Sequence, residues 1–293
     1  MDALVERVRH GVIAAVPVPF SGPAINEAAQ RRYAESMVRE PLAGVAVWAH
    51  TGRGTQLSPE QRRTVLETWR AALPDKVIVA GAHDIGTAID ARRRNADALL
   101  IHPVADDPIR HHDRLSRELP GMVFWLYKAA GGVAYDDATL HALLDLPHII
   151  GIKIATLDSV MTYQRLVALV RQHPGKLIIS GEDRFLGYSL IAGADAALIG
   201  MAASVPALPV RLLEAREAGD DARFLALTAA ADAFAAQTFC QPMEGYIRRM
   251  LWAAAAEGRI PLDACDDPWG PPLGNDERAR VTQAVRDAQP ALG

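Results

Sequence analysis

The chain has 293 residues, of which 50% are hydrophobic and 23% are charged, a composition typical of a soluble globular protein with a large core. Its formal net charge of −4 is mild, and no basic tract or basic amphipathic stretch indicates a nucleic-acid or membrane partner. Cys240 and Cys265 form no CxxC pair and no disulfide framework. Because the N-terminus also has only a short apolar run, unlike a signal peptide, we expect a cytoplasmic protein with reduced thiols.

Short apolar runs alternate with longer helical stretches along most of the chain. The apolar runs span residues 11–16, 44–48, 76–81, 98–102, 122–127, 149–154, 176–180 and 196–199. The helical stretches begin near Asn26, Ser58, Ile85, Ile109, Asp136, Ser159, Arg184 and Pro206. Alternation of this kind predicts a parallel sheet covered on both faces by right-handed crossovers. Because the Gly-rich first turn of a dinucleotide fold is absent, a closed barrel fits best.

The predicted fold class is therefore α/β, a (β/α)₈ TIM barrel over residues 1–219 with a C-terminal helical extension over residues 220–293. In the extension, DARFLALTAAADAFAAQTF and EGYIRRMLWAAAAEG are Ala-rich and favour helices, and DERARVTQAVRDAQ predicts a last short helix. We expect these helices to pack on the barrel instead of forming an independent domain.

A lysine interrupts the predicted sixth strand, HIIGIKIATLD. Lys153 stands among apolar residues near the C-terminal strand end, where such barrels carry their chemistry, and lysine is almost never fully buried unless it is paired or functional. Burial disfavours the ammonium, and the neutral amine attacks carbonyl carbon. The pattern predicts a Schiff-base lysine. The structural alternative is a lysine that snorkels to solvent or is ion-paired.

Two other strand ends carry polar groups. Tyr127 ends the fifth strand, where its phenol is expected to reach the Lys153 adduct and shuttle protons; a core aromatic with a satisfied hydroxyl is an equal alternative. The second strand is followed by AHTGRG, in which backbone N–H groups, Gly52, Gly54 and the Thr51 hydroxyl are suited to hold a carboxylate. By itself, a Gly-containing loop is weak evidence.

In this order, these segments resemble the dihydrodipicolinate synthase/N-acetylneuraminate lyase family of class I, Schiff-base-forming aldolases and lyases. GVIAAVPVPF resembles its first strand, AHTGRGTQL its GTTGE loop, WLYKAAG its Y-N-x-P-G segment and IIGIKIATLD its I-x-G-x-K-x-x-x-x-D strand. SGED (180–183) and GADAALIGMAASVP (193–206) resemble its seventh and eighth strand ends. The lysine strand with a tyrosine at this spacing is the specific part of the match.

By position, the resemblance implies catalytic roles for Lys153 as the Schiff-base lysine, Tyr127 as the proton-shuttling phenol and Thr51 as a carboxylate-binding hydroxyl. It implies that Gly52 and Gly200 contact the substrate, a 2-oxo acid such as pyruvate. It further implies that no metal and no organic cofactor is used, and that the chain forms a homo-oligomer, a dimer or a tetramer.

Several positions of this divergent member depart from the family pattern: His50, Arg53, Pro103-Val104-Ala105, Lys128, Ala130 and Gly132. Gly132 falls where synthases carry the arginine for the second substrate's carboxylate, and the tyrosine donated across the dimer is missing, which argues against a lysine-pathway synthase. His50, Arg53 and Lys128 add positive or switchable charge and are expected to bind an anionic sugar acid or a dicarboxylic 2-oxo acid. The alternative is that Arg53 and Lys128 face outward into surface or inter-subunit pairs.

Among the candidate functions, a lyase or aldolase is ranked first. A dehydratase of a 2-keto-3-deoxy sugar acid comes next, with a synthase close behind, and a catalytically degenerate keto-acid-binding homologue is the non-enzymatic alternative. A metal site in HPVADDPIRHHD, residues 102–113, is disfavoured because His111 and His112 would point about 100° apart on a helix.

Overall fold

The computed structural model describes residues 1–128, 131–157 and 159–292. Eight parallel strands pair in chain order and close into a barrel, because the first strand also pairs with the eighth. In chain order, the barrel strands are Val12–Ala15, Gly44–Val47, Val77–Ala82, Ala98–Ile101, Gly121–Leu126, Ile149–Ala155, Leu177–Ser180 and Ala196–Ile199. The predicted (β/α)₈ barrel is confirmed, and each predicted strand end lies within about one residue of the observed one.

Helices surround the barrel and continue beyond its last strand. They span Asp2–Val8, Glu27–Ser36, Pro59–Ala72, Ile85–Arg93, Pro108–Ser116, Asp137–Asp145, Val160–Val170, Leu186–Ala192, Ala207–Glu217, Asp221–Thr238, Tyr246–Ala256 and Asn275–Ala288. The sequence did not predict the first of these helices or the small antiparallel hairpin of Phe20–Ser21 and Ala24–Ile25. Among the described residues, no helix combines the length and the apolarity that crossing a bilayer requires.

Polar caps determine where several outer helices begin. Asn26, Ser58, Asp136 and Ser159 each accept a hydrogen bond from the backbone N–H three residues further on. The Gln61 side-chain oxygen in turn accepts a hydrogen bond from the Ser58 backbone N–H, and the two bonds form a capping box. Such caps stabilise a helix by about 1 kcal/mol each and satisfy its first N–H groups. They explain why these predicted helix starts are accurate.

Two apolar layers enclose the barrel wall. The inner cluster includes Ile13, Val79 and Phe124, and the outer cluster joins strand residues to the surrounding helices. On the sixth strand, Ile152 and Ile154 belong to the outer cluster, and side chains alternate along a strand. Lys153 therefore points into the barrel.

A buried arginine joins several segments of the chain after residue 220. Arg249 donates to the carbonyl oxygens of Thr238, Cys240, Gln241 and Pro242 and is paired with Glu277. One outer apolar cluster also contains residues from both parts of the chain. The division at residues 219 and 220 stays a prediction.

The loop after the second strand is packed too tightly for an added methyl group. A Cβ at Gly54 would lie 1.8 Å from the Trp48 carbonyl oxygen. We predict that Gly54→Ala lowers the free energy of unfolding by about 1–3 kcal/mol, the usual cost of overpacking. Gly86→Ala is the control, since its Cβ would lie 3.4 Å from the nearest atom within a helix. Urea denaturation that showed equal stability for both variants would contradict the prediction.

Candidate active site

Lys153 lies inside the C-terminal end of the barrel, and the residue is 7% exposed. Burial lowers the pKa of its amine to about 8, against the opposing effect of the Asp183 and Glu182 carboxylates. Nζ lies 4.3 Å from the centroid of the Phe124 ring, a position that favours the ammonium. A Cβ at Gly181 would come within 2.8 Å of Lys153 Cε. Glycine at this position therefore leaves space for the lysine stem.

A cavity of about 30 Å³ lies at Lys153 and brings five of the predicted site residues together. Its walls include Lys153, Tyr127, Thr51, His50 and Gly200. The cavity adjoins a wider pocket of about 820 Å³, and Tyr127 lines both. Burial raises the pKa of the Tyr127 hydroxyl, and the neighbouring Glu244 carboxylate raises it further. The phenol is therefore kept protonated beside the amine.

The structure does not bring the other two predicted site residues to this cavity. Arg53 and Gly52 are absent from the described residues that line it. A Cβ at Gly52 would lie 3.1 Å from the Val16 carbonyl oxygen, so this glycine allows a close backbone approach behind the loop. That Gly52 and Arg53 contact substrate stays a prediction.

Arg53 is held by two carboxylates from the C-terminal extension. Its Nε and Nη2 donate to Asp267 at 3.0 and 2.6 Å, and its Nη1 donates to Glu244 at 2.9 Å. The Arg53 and Asp267 side chains are 5% and 1% exposed. The charges at Arg53 and at its partner are thus compensated inside the protein. This arrangement links the AHTGRG loop to residues about 190–215 positions later in the chain.

Asp183 connects the seventh and eighth strand ends with the extension. Its Oδ1 accepts hydrogen bonds from the Met201 N–H at 2.7 Å and from the Tyr246 hydroxyl at 2.9 Å. A Cβ at Gly200 would lie 2.0 Å from that hydroxyl. Burial raises the pKa of Asp183. The two hydrogen bonds, and the positive charge of Lys153, oppose this shift. Glycine is therefore needed at position 200 because the Tyr246 side chain packs closely against it.

Glu182 holds the segment that follows the Schiff-base strand of the family pattern. Its carboxylate accepts bonds from the Thr156 N–H at 2.5 Å, the Thr156 hydroxyl at 2.8 Å and the Leu157 N–H at 2.9 Å. Burial raises the pKa of Glu182 to about 7 despite these bonds. Leu157, whose φ is +63°, is thereby held against the cavity that it lines.

Two of the positions that depart from the family pattern lie at the wider pocket. Lys128 and Gly132 line it, and Lys128 is exposed, as the surface alternative anticipated. A Cβ at Gly132 would lie 1.7 Å from the Leu126 carbonyl oxygen, so the present backbone cannot accept an arginine there. Ala130 and the aspartate of the family motif, Asp158, lie outside the described residues.

Some residues of the site were not identified from the sequence. Glu182 and Asp183 follow the apolar strand Leu177–Ser180 after Gly181. The sequence matched SGED to the seventh strand end but gave these carboxylates no role, although reactive groups gather at strand ends. Glu244, Tyr246 and Asp267 gave no such signal, because they come from the extension and meet the barrel only in three dimensions.

The histidine-rich segment after the fourth strand does not assemble a ligand set. Among residues 1–128, 131–157 and 159–292, no three His, Cys, Asp or Glu side chains are grouped in a way that could hold a metal ion. His112 Nδ1 lies 2.8 Å from the Pro108 carbonyl oxygen, and burial lowers the pKa of its imidazole to about 4. Its role is structural packing beside Tyr135.

Comparison with known proteins identifies the family. The sequence pattern of the Dihydrodipicolinate synthetase family matches residues 9–288. A 4-hydroxy-tetrahydrodipicolinate synthase of Hyphomonas neptunium is 28% identical over 278 residues, which cover 88% of this chain and 93% of that protein. The chain therefore belongs to the dihydrodipicolinate synthetase family.

Solved structures share the fold at low sequence identity. Dihydrodipicolinate synthase of Agrobacterium tumefaciens superposes with a TM-score of 0.85 at 22% identity and covers 97% of this chain and 99% of its own. A prophage protein of the dihydrodipicolinic acid synthase family from E. coli K12, solved with pyruvate, gives 0.84 at 19% and covers 95% and 98%. N-acetylneuraminate lyase of Mycoplasma synoviae gives 0.79 at 18% and covers 97% and 98%.

The buried pair of Arg53 and Asp267 yields a stability prediction. Arg53→Met leaves a buried carboxylate without its guanidinium, and we expect a loss of about 3–5 kcal/mol in the free energy of unfolding. Arg53→Met/Asp267→Leu should recover a large part of that loss. The control is Arg117→Met, which breaks an exposed pair with Asp113 and should cost less than about 1 kcal/mol. The free energies of unfolding of the three variants are measured by chemical denaturation. Equal losses for Arg53→Met and Arg117→Met would contradict the buried ion pair.

Proposed function

We propose that the protein is a lysine Schiff-base lyase or aldolase that acts on pyruvate or a related 2-oxo acid. The observation that carries this proposal is the buried Lys153 amine, whose pKa is lowered by the barrel interior, beside the protonated Tyr127 in one cavity. A neutral amine attacks the keto carbon, and the resulting protonated imine accepts the electron pair of a bond that breaks at the neighbouring carbons. Membership of the family supports this class of chemistry.

Each predicted catalytic residue has a place in this proposal. Lys153 forms the imine, Tyr127 moves protons to and from the keto oxygen, and Thr51, with the loop backbone, holds the carboxylate. Because the cavity at Lys153 measures only about 30 Å³, the keto-acid head reaches into it from the wider pocket, where the rest of a substrate lies. We further propose that His50 and Gly200 contact the head, and that Arg53 acts by fixing the loop.

The dehydratase of a 2-keto-3-deoxy sugar acid is the second candidate. The wider pocket has hydroxyl groups from Thr156, Ser159 and Thr162 and cations from Lys128 and Arg184 along its wall. Such a lining suits a hydroxylated chain with an acid group at its far end. Both reactions begin from the same imine, and they differ in the group that leaves.

Two further expectations remain proposals. The first is a homo-oligomer, a dimer or a tetramer; one solved relative is described as a monomeric dihydrodipicolinate synthase variant, so sedimentation of the purified chain is needed. The second is a cytoplasmic location. Neither affects the chemistry of the imine.

Borohydride trapping tests the proposed function. The protein is incubated with pyruvate and borohydride, and digestion should then yield the Lys153 peptide with the mass of one reductively attached pyruvate. Lys153→Arg, which keeps a cation but removes the nucleophile, is the control and should remain unmodified. Trapping at another lysine, or equal trapping in the variant, would refute the proposal.

The pH dependence of imine formation follows from the lowered pKa. Only the neutral amine attacks, so a pKa of about 8 predicts that the rate constant falls about tenfold per pH unit below pH 8 and levels off above it. An amine with the ordinary lysine pKa would still gain rate up to about pH 10. Rapid-quench trapping between pH 6 and pH 10 distinguishes the two profiles.

A further inference from the structure

Arg184 presents a positive charge to the wider pocket. Its neighbour Asp183 lines the small cavity at Lys153, whereas Arg184 lines the wider pocket that adjoins this cavity. Arg184 is exposed, and the chemistry of the imine gives it no role. Because an arginine side chain stays charged in proteins, one wall of the wider pocket carries a permanent cation.

A backbone carbonyl group holds this guanidinium in place. Arg184 Nη1 donates a hydrogen bond to the Phe239 carbonyl oxygen at 3.0 Å. Within the part of the chain that the structure describes, the Arg184 side chain makes no other hydrogen bond and no ion pair. Its Nε and Nη2 groups are therefore available together, and such an edge of a guanidinium binds both oxygens of a carboxylate.

One carboxylate influences Arg184 from a distance. The Arg184 charge opposes the rise in the pKa of Asp232 that burial causes, but these two described side chains form no ion pair. Asp232 lies on the helix Asp221–Thr238 and is not one of the described residues that line the wider pocket. It therefore does not occupy the place of a ligand in that pocket.

The wall of the wider pocket is positively charged. Its described residues include the cations Arg184 and Lys128 and no carboxylate, although the whole chain has a net charge of −4. Gly132 lines the same pocket, and the Leu126 carbonyl oxygen leaves no space for a side chain there. A concave surface with one sign of charge attracts groups of the opposite sign. The wall therefore suits an anionic group.

Residues that line both spaces connect the Lys153 cavity with the wider pocket. Leu157, Phe239 and Met243 belong to both walls. A 2-oxo acid bound through its keto carbon at Lys153 must therefore extend its other end past these side chains. Phe239 also supplies the carbonyl oxygen that holds Arg184, so the guanidinium is attached to the junction through which a substrate chain passes.

We propose that Arg184 binds a second carboxylate at the far end of the substrate, which makes the substrate a dicarboxylic 2-oxo acid. The inference rests on the proposed function of Lys153 and applies to both candidate reactions. The keto-acid head binds at Lys153, the carbon chain passes Phe239, and the distal carboxylate binds Nε and Nη2 of Arg184. Lys128 adds positive charge from its exposed position. Arg184 is a specificity-determining residue and takes no part in bond breaking.

Competition with pyruvate for Lys153 tests this assignment. Pyruvate is trapped with borohydride in the presence of 2-oxo acids that form matched pairs: 2-oxoglutarate with 2-oxopentanoate, and 2-oxoadipate with 2-oxohexanoate. The members of a pair differ in the distal carboxylate, and the adduct masses show which acid was captured. For at least one pair, the diacid should halve pyruvate trapping at about tenfold lower concentration than the monoacid, because a charge-assisted pair is gained. Equal competition within both pairs would overturn the proposal.

Substitutions at Arg184 assign the preference to its side chain. Arg184→Gln should reduce the preference for the diacid to less than about twofold, and Arg184→Glu should reverse it, since like charges then face each other. Arg184→Lys keeps the charge but loses the planar edge and should retain a preference of about threefold. The preference is a ratio measured within each protein, so a general loss of activity cancels. A tenfold preference that survived in Arg184→Gln would contradict the assignment.

Arg165 offers a matched control for the loss of one positive charge beside the pocket. Its guanidinium lies 5.6 Å from the centroid of the Trp125 ring, and Trp125 lines the wider pocket. Arg165 itself is paired with Asp137 and is not among the described residues of the wall. Arg165→Gln should therefore keep the wild-type preference. A loss equal to that of Arg184→Gln would show a diffuse effect of charge and would overturn the direct contact.

The same experiments distinguish the failure of this inference from the failure of the proposed function. If Arg184 does not bind the distal group, pyruvate is still trapped on Lys153, and the diacid preference is either missing or insensitive to Arg184→Gln. If the proposed function is wrong, no pyruvate adduct forms on Lys153 in any of these proteins.

Discussion

The desolvation of one amine is the constraint on which the site depends. Lys153 points from a barrel strand into an apolar interior that cannot stabilise an ammonium as water does. Burial lowers the pKa of the amine to about 8, against the opposing effect of two carboxylates at the seventh strand end. The face of Phe124 also lies close to the amine and favours the ammonium. A fully apolar site would lower the pKa further.

The site is built by two parts of the chain that are remote in sequence. The barrel contributes the amine, the phenol and the loop after the second strand. Residues after 240 contribute Glu244, Tyr246 and Asp267, which bind Arg53 and Asp183 from outside the strands. The extension therefore supplies hydrogen-bond partners that hold polar groups of the barrel in place.

Sequence reasoning reached the barrel, its strand ends and the buried lysine for identifiable reasons. Strand periodicity and helix caps are local, and a lysine inside an apolar strand is visible without a structure. The pairing of Arg53 with Asp267 and Glu244 was not accessible in this way. The sequence suggested a charge facing substrate or the surface, whereas the structure buries the guanidinium between Asp267 and Glu244. Pairings between residues about 200 positions apart depend on the closed fold and leave no local pattern.

The contact between Arg53 and the extension has a consequence for how the protein can be recombined. Where the family pattern has an acidic residue, this chain has Arg53, and the matching acidic groups stand in the extension. A chimera that joined this extension to a barrel with the usual glutamate would bring three carboxylates together in a buried space. A substitution that changes the charge of the loop therefore requires a compensating substitution in the C-terminal segment, and the reverse also holds.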